Sequence, residues 1–142
     1  MSTIREQILN ALHQTIHDIP TVEDANIFRS RTKAIDRQTT PAIVIEPEKD
    51  SPIMNVLPYF DWSLLVKIAI IVRGDTPDQL IDPILEKIHS KIMADTTLGG
   101  YSMDVQPNDV DYDFMDGDGS VCIATARYTI MYRTSMTDLT TR

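Results

Sequence analysis

The chain has 142 residues, a single cysteine, and 21 acidic against 13 basic residues, for a formal charge of −8. That length suffices for one domain burying about 68% of its unfolded surface without a disulfide or metal staple, and the acidic balance argues against a broad surface for nucleic-acid phosphates, which calls for a basic patch. Arg5 and Glu6 stand where a secretory leader needs apolar residues, and the longest apolar run, Leu64 to Val72, is short and broken by Lys67, so the protein reads as soluble and intracellular.

In chain order, Thr3-Ile-Arg-Glu6 is a capping box that opens a helix in which Ile4, Ile8, Leu12, Ile16 and Ile19 recur at helical spacing up to Pro20. His13 and His17 lie four apart on its flank, but no third ligand is evident and Gln14 stands where a zinc protease motif needs glutamate, so they read as solvent-exposed. A short strand is expected from Ala25 to Arg31, with Ile27 inward and Arg29 and Arg31 on the alternate face. Thr40 to Glu46 predicts a strand bounded by Pro41 and Pro47. Glu48 to Tyr59 places Pro52 and Pro58 among Ile53, Met54, Val56 and Leu57 without any period, and reads as a long irregular loop whose apolar content points to contact with another subunit.

Asp61 to Arg73 is the strongest strand signal. Trp62, Leu64, Val66, Ile68, Ile70 and Val72 alternate onto one face, which predicts a central strand and the largest single contribution to the core. After the Gly74-Asp75 turn, Thr76, Pro77 and Gln79 give a helix start, and Ile81, Ile84, Leu85, Ile88 and Ile92 give its apolar stripe, with Pro83 expected to kink one continuous helix. Two strands are predicted next, Tyr101 to Val105 and Val110 to Phe114, separated by Pro107-Asn-Asp109. In the second, Val110, Tyr112 and Phe114 are expected to pack while Asp109, Asp111 and Asp113 form a row of carboxylates. Asp116-Gly-Asp-Gly119 is a turn signal. Val121 to Thr134 predicts a second long strand, and Ser135 to Arg142 a polar tail that frays. The fold class expected is α+β, with a mostly antiparallel or mixed sheet and two main helices on one face, in a single domain over 1–142.

Cys122 falls in the alternation of the last strand and reads as a buried inert thiol. The acidic cluster Asp104, Asp109, Asp111, Asp113, Asp116 and Asp118 fails as an EF-hand loop, because Met115 occupies a ligand position in either register. There is no glycine-rich phosphate loop, no nucleophile elbow and no histidine placed to activate a nucleophile. No catalytic, cofactor or metal residue is therefore assigned. An enzyme of metal-dependent hydrolysis or phosphotransfer using the Asp109 to Asp118 carboxylates stays open as a distant alternative, and needs a closed acidic pocket.

The order of these segments resembles the tail terminator proteins of long-tailed phages, the family of the lambda minor tail protein U. The residues that carry the likeness are the first helix, Pro41-Ala-Ile-Val-Ile-Glu46, Ile71-Val-Arg-Gly-Asp75, Ala94-Asp-Thr-Thr-Leu-Gly-Gly100, the acidic stretch, and Tyr128-Thr-Ile-Met-Tyr-Arg-Thr134. The resemblance implies a structural protein, a homo-hexameric ring that caps the tail tube at its head-proximal end and presents a surface to the head. Its partners would be its own copies, the tail tube protein and a head-completion or neck protein, with assembly in the host cytoplasm, no membrane, and DNA passing through without tight binding. Another head-to-tail joining protein of the phage neck is the nearest alternative. On this reading Ile53, Met54, Val56, Leu57 and Tyr59 are expected at a subunit or tube interface. The row Asp109, Asp111, Asp113, Asp116 and Asp118 is expected either to line the channel or to meet Arg29, Arg31 or Arg133 of a neighbouring subunit.

Overall fold

The computed structural model describes residues 2–29, 40–115 and 120–142, with the side chain of Met54 left out of the description. Helix α1 (Ile4–Thr15) is followed by one 3-10 turn (Asp24–Asn26) and strand β1 (Ile27–Arg29). Strands β2 (Ala42–Val56) and β3 (Tyr59–Arg73), helix α2 (Pro77–Ala94), and strands β4 (Asp104–Met115) and β5 (Val121–Ser135) complete the order. Among the described residues these strands make one sheet in the order β1-β2-β3-β5-β4. Only β1 with β2 is parallel, and the other three pairs are antiparallel. The α+β class is the one the sequence predicts.

Alternation on β3 and β5 builds the core. Leu64, Val66, Ile68, Ile70 and Val72 on β3 lie beside Cys122, Ala124, Ala126, Tyr128, Ile130 and Tyr132 on β5, and all are buried under the helices. Ile43 and Ile45 extend this face onto β2. Ile8 and Leu12 of α1, and Ile81, Ile84, Ile88 and Ile92 of α2, close it from above with no exposed surface to speak of. The helix α1 packs on β1, β2 and α2, whereas α2 packs on β3 and β5. Both helices therefore cover one face of the sheet, and the other face is open.

Local chemistry explains the helix ends. The Thr3 hydroxyl accepts from the Glu6 amide at 3.1 Å, the expected half of a capping box. The Glu6 carboxylate does not reach back to Thr3, because Arg29 takes it. Thr76 stands at the start of α2 but makes no side-chain cap; its carbonyl accepts from the amides of Gln79 and Leu80 instead. Pro83 sits within one continuous helix, at an exposed position.

Several expectations are corrected. The helix α1 stops at Thr15, short of Pro20. His13 is half-buried, donating from Nε2 to the Ile27 carbonyl at 2.9 Å and so tying α1 to β1. The segment from Glu48 to Tyr59 is no loop. The strands β2 and β3 run on as one hairpin closed by the two-residue turn Leu57-Pro58, the Leu57–Pro58 peptide being cis. Register shifts between Pro47 and Lys49 and between Pro52 and Met54 insert extra residues that break the alternation, which is why the sequence shows no period there. A third shift, between Pro107 and Asp109, makes one strand of the two expected between Tyr101 and Phe114. Asp24 to Asn26 form the 3-10 turn, so β1 begins at Ile27; Arg31 lies outside the described residues. The tail after Ser135, expected to fray, is tied to the domain by backbone bonds from the Met136 amide to the Pro58 carbonyl and from the Ile4 amide to the Leu139 carbonyl, at 3.1 and 2.9 Å.

Candidate assembly surfaces

The first surface is the hairpin tip. Leu57 is 76% exposed and Ile53 49%, while Val56 and Tyr59 are half-buried. The tip is held from behind. Arg133 lies over the Tyr59 ring at 5.4 Å from its centre, and Trp62, stacked on Tyr132, donates from Nε1 to the Thr134 hydroxyl at 2.9 Å. Asp50 accepts hydrogen bonds from the Tyr132 hydroxyl and from Arg5 of α1, the latter at 3.0 Å. These contacts bind both strands of the hairpin to β5 and α1, so the exposed apolar side chains at the tip stand on a rigid support.

Arg29 and Arg133, two of the cations expected at an interface, have partners within the chain. Arg29 donates twice to the Glu6 carboxylate, at 2.7 and 3.3 Å, which holds that carboxyl below its usual range. Arg133 forks onto the buried Asp61, Nε to Oδ1 at 2.7 Å and the second guanidinium nitrogen to Oδ2 at 3.2 Å. Neither is a spare charge waiting for a neighbour.

The acidic row lies where its alternation puts it. Asp109, Asp111 and Asp113 are paired in register with Arg127, Thr125 and Ile123 of β5, and so project from the open face of the sheet. Arg127 gathers this face together: it donates to Asp109 at 3.1 Å, to Asp111, and to Glu48 of β2 at 3.1 Å, reaching across β3 to do so. Hydrogen bonds to Asp111 and Asp109 are the chief reason its guanidinium is held protonated more firmly than usual. Asp113 has no ion-pair partner among the described residues. Asp116 and Asp118 lie outside them. Asp109 is 57% and Asp111 70% exposed at the side chain, so they form no closed acidic pocket of the kind that the hydrolase alternative needs. Among the described residues no three His, Cys, Asp or Glu side chains come together as metal ligands. Cys122 is fully buried, and burial pushes its thiol up.

Val110, Tyr112 and Phe114, expected to pack, instead form a second apolar surface. Val110, Tyr112 and Phe114 project from the helix side of β4, as their pairing with Ala126, Ala124 and Cys122 requires, but α2 does not reach far enough to cover them. They stay 42%, 48% and 59% exposed, with the Tyr112 and Phe114 rings stacked at 6.4 Å. Two open hollows of about 530 and 590 Å³ lie between this strand and α2, lined on the helix by Asp78, Asp82, Leu85 and His89. His89 Nδ1 and the Tyr128 hydroxyl share a hydrogen bond of 3.0 Å at the back of the first. On the other side of α2 a groove of about 660 Å³ separates it from α1, with Lys87, Lys91, His17 and Tyr101 on its walls. The sequence signal for the β4 surface was the alternation itself; what alternation does not encode is whether a second layer covers the apolar face.

No helix among the described residues is long and apolar enough to cross a membrane. The family described as phage minor tail protein U matches residues 1–132. No curated protein matches the chain.

Proposed function

The chain belongs to the phage minor tail protein U family and is a structural component of the virion tail, and on that premise we propose that six copies form a ring that caps the tail tube, ends its growth and offers a face to the head. Family membership over residues 1–132 carries the reading. The surfaces support it, since a protein whose work is assembly needs rigid, apolar contact points in place of a catalytic pocket. The hairpin tip supplies one: Ile53 and Leu57, with Val56 and Tyr59 beside them, meet the tube or the adjoining subunit. The row of Asp109, Asp111 and Asp113 lines the channel. An acidic wall lets a duplex slide, whereas a basic one would hold it by neutralising phosphates.

The test uses tails assembled without this protein. Adding it should stop tube growth at fixed length and make the tails competent to join heads. Tubes that continue to lengthen while the protein binds to empty heads would assign it to the neck instead.

A further inference from the structure

Helix α2 carries opposite charges on its two flanks. Asp78, Asp82 and Glu86 recur every four residues, which stacks them along one side of the helix, and they line the hollows that face β4. Lys87 and Lys91, also four apart, line the groove that faces α1, where Lys91 Nζ lies 3.2 Å from His17 Nδ1. None of these five charged groups makes an ion pair among the described residues. The one acid on the basic side, Asp95, is occupied by the amides of Thr97 and Gly99. Each flank also holds exposed aromatic surface, Tyr112 and Phe114 beside the acids and Tyr101 beside the lysines.

We propose that these flanks are the two halves of one head-to-tail contact between copies: Lys87 and Lys91 of one subunit meet Asp78 and Asp82 of the next, and Tyr101 covers part of Tyr112 and Phe114. The inference rests on the ring reading, and it names the surfaces that would close the ring. Its alternative, two copies joined about a two-fold axis through β4, brings the aspartate row of one strand opposite the same row of the other, and like charges directly opposite are destabilising. Two unlike surfaces on one chain make the contact heterologous, which is the kind that closes into a ring.

Charge exchange tests it. Asp82→Lys and Lys87→Glu, both at exposed positions, should each weaken association of copies by about tenfold or more, because each sets like charges face to face. The double variant, which restores opposite signs in reversed order, should recover most of the loss. Ring formation is read by sedimentation and native mass spectrometry, with circular dichroism to establish that each variant is folded. Wild-type rings whose single variants assemble normally, or whose double variant is no better than the singles, would overturn this contact and leave the ring reading standing. A wild-type protein that forms no ring of six, even on tail tubes, would overturn both.

Discussion

The indole of Trp62 donates to the hydroxyl of Thr134 at 2.9 Å, joining the outer ends of the two central strands just behind the hairpin tip. Thr134 is 1% exposed, so its oxygen meets no water of its own. Thr134→Val keeps the shape and removes the acceptor. The indole N–H is then left without a partner at a half-buried site, which should cost roughly 1 kcal/mol. A urea titration should show a lower midpoint at unchanged slope. Because Trp62 is the only tryptophan, its fluorescence reports this one environment, and an unchanged midpoint would mean that the bond contributes nothing.

Buried tyrosines predict an alkaline limit. Burial raises the hydroxyl of Tyr128, and burial followed by the hydrogen bond to Asp50 raises that of Tyr132 well above the ordinary 10. In both cases the folded state holds its proton more tightly than the unfolded chain. Their contribution is therefore fully present below pH 10 and is lost as the pH climbs above it, since only the unfolded form then ionises. Titration followed by tyrosinate absorbance should show two of the five tyrosines ionising late, together with unfolding. Five tyrosines titrating as one group near pH 10 in the folded protein would contradict this.

Cys122 should be silent in the folded state. It is fully buried between α2 and the sheet, and its thiol is pushed up, chiefly by burial. Alkylation by iodoacetamide at neutral pH should follow global opening, accelerating in urea in step with the loss of Trp62 fluorescence. Rapid modification without denaturant would show that the β3–β5 core opens locally.

How legible the fold was depends on whether the period of a segment survives. The strand β5 keeps strict alternation over its fifteen residues and β3 keeps it from Ser63 to Arg73, and α1 and α2 keep their stripes, so class and most of the core follow from sequence. The period fails where extra residues enter a ladder. Pro47, Pro52 and Pro107 each stand beside a register shift, and there the sequence suggests a loop or two strands where one continuous strand runs. The exposed Phe114 fails for another reason: its neighbours on β4 state which way it points, and only the length and placement of α2, set by packing on β3 and β5, leave it uncovered. The pairing of Arg127 with Glu48, 79 residues away, is likewise a tertiary fact that no local pattern carries.

The hairpin tip makes a prediction that separates folding from assembly. Leu57 occupies a two-residue turn and is 76% exposed, so Leu57→Asp removes little buried surface and should change stability by no more than about 0.5 kcal/mol. If the tip meets the tube or a neighbouring subunit, the same change places a charge in an apolar contact, and tails should fail to stop at fixed length. A variant that melts as the wild type does and still caps tails would remove the tip from the interface.

The acidic row gives the sharpest division between channel wall and subunit glue. Arg29 and Arg133, two cations expected to meet a neighbour's row, are already bound to Glu6 and Asp61 within their own chain. Asp109 and Asp111 are likewise drawn to Arg127. Among the described members of the row Asp113 is the one without an ion-pair partner, and it lies on the open face of the sheet, so it is the position to reverse. Asp113→Lys disturbs no ion pair seen in the fold and should leave stability and ring assembly close to wild type. If the row lines the channel, the variant ring adds a cation per subunit to the wall, DNA delivery should slow, and raising the salt should partly restore it by weakening phosphate contacts. Loss of the ring itself, with delivery never reached, would mean that Asp113 sits between subunits.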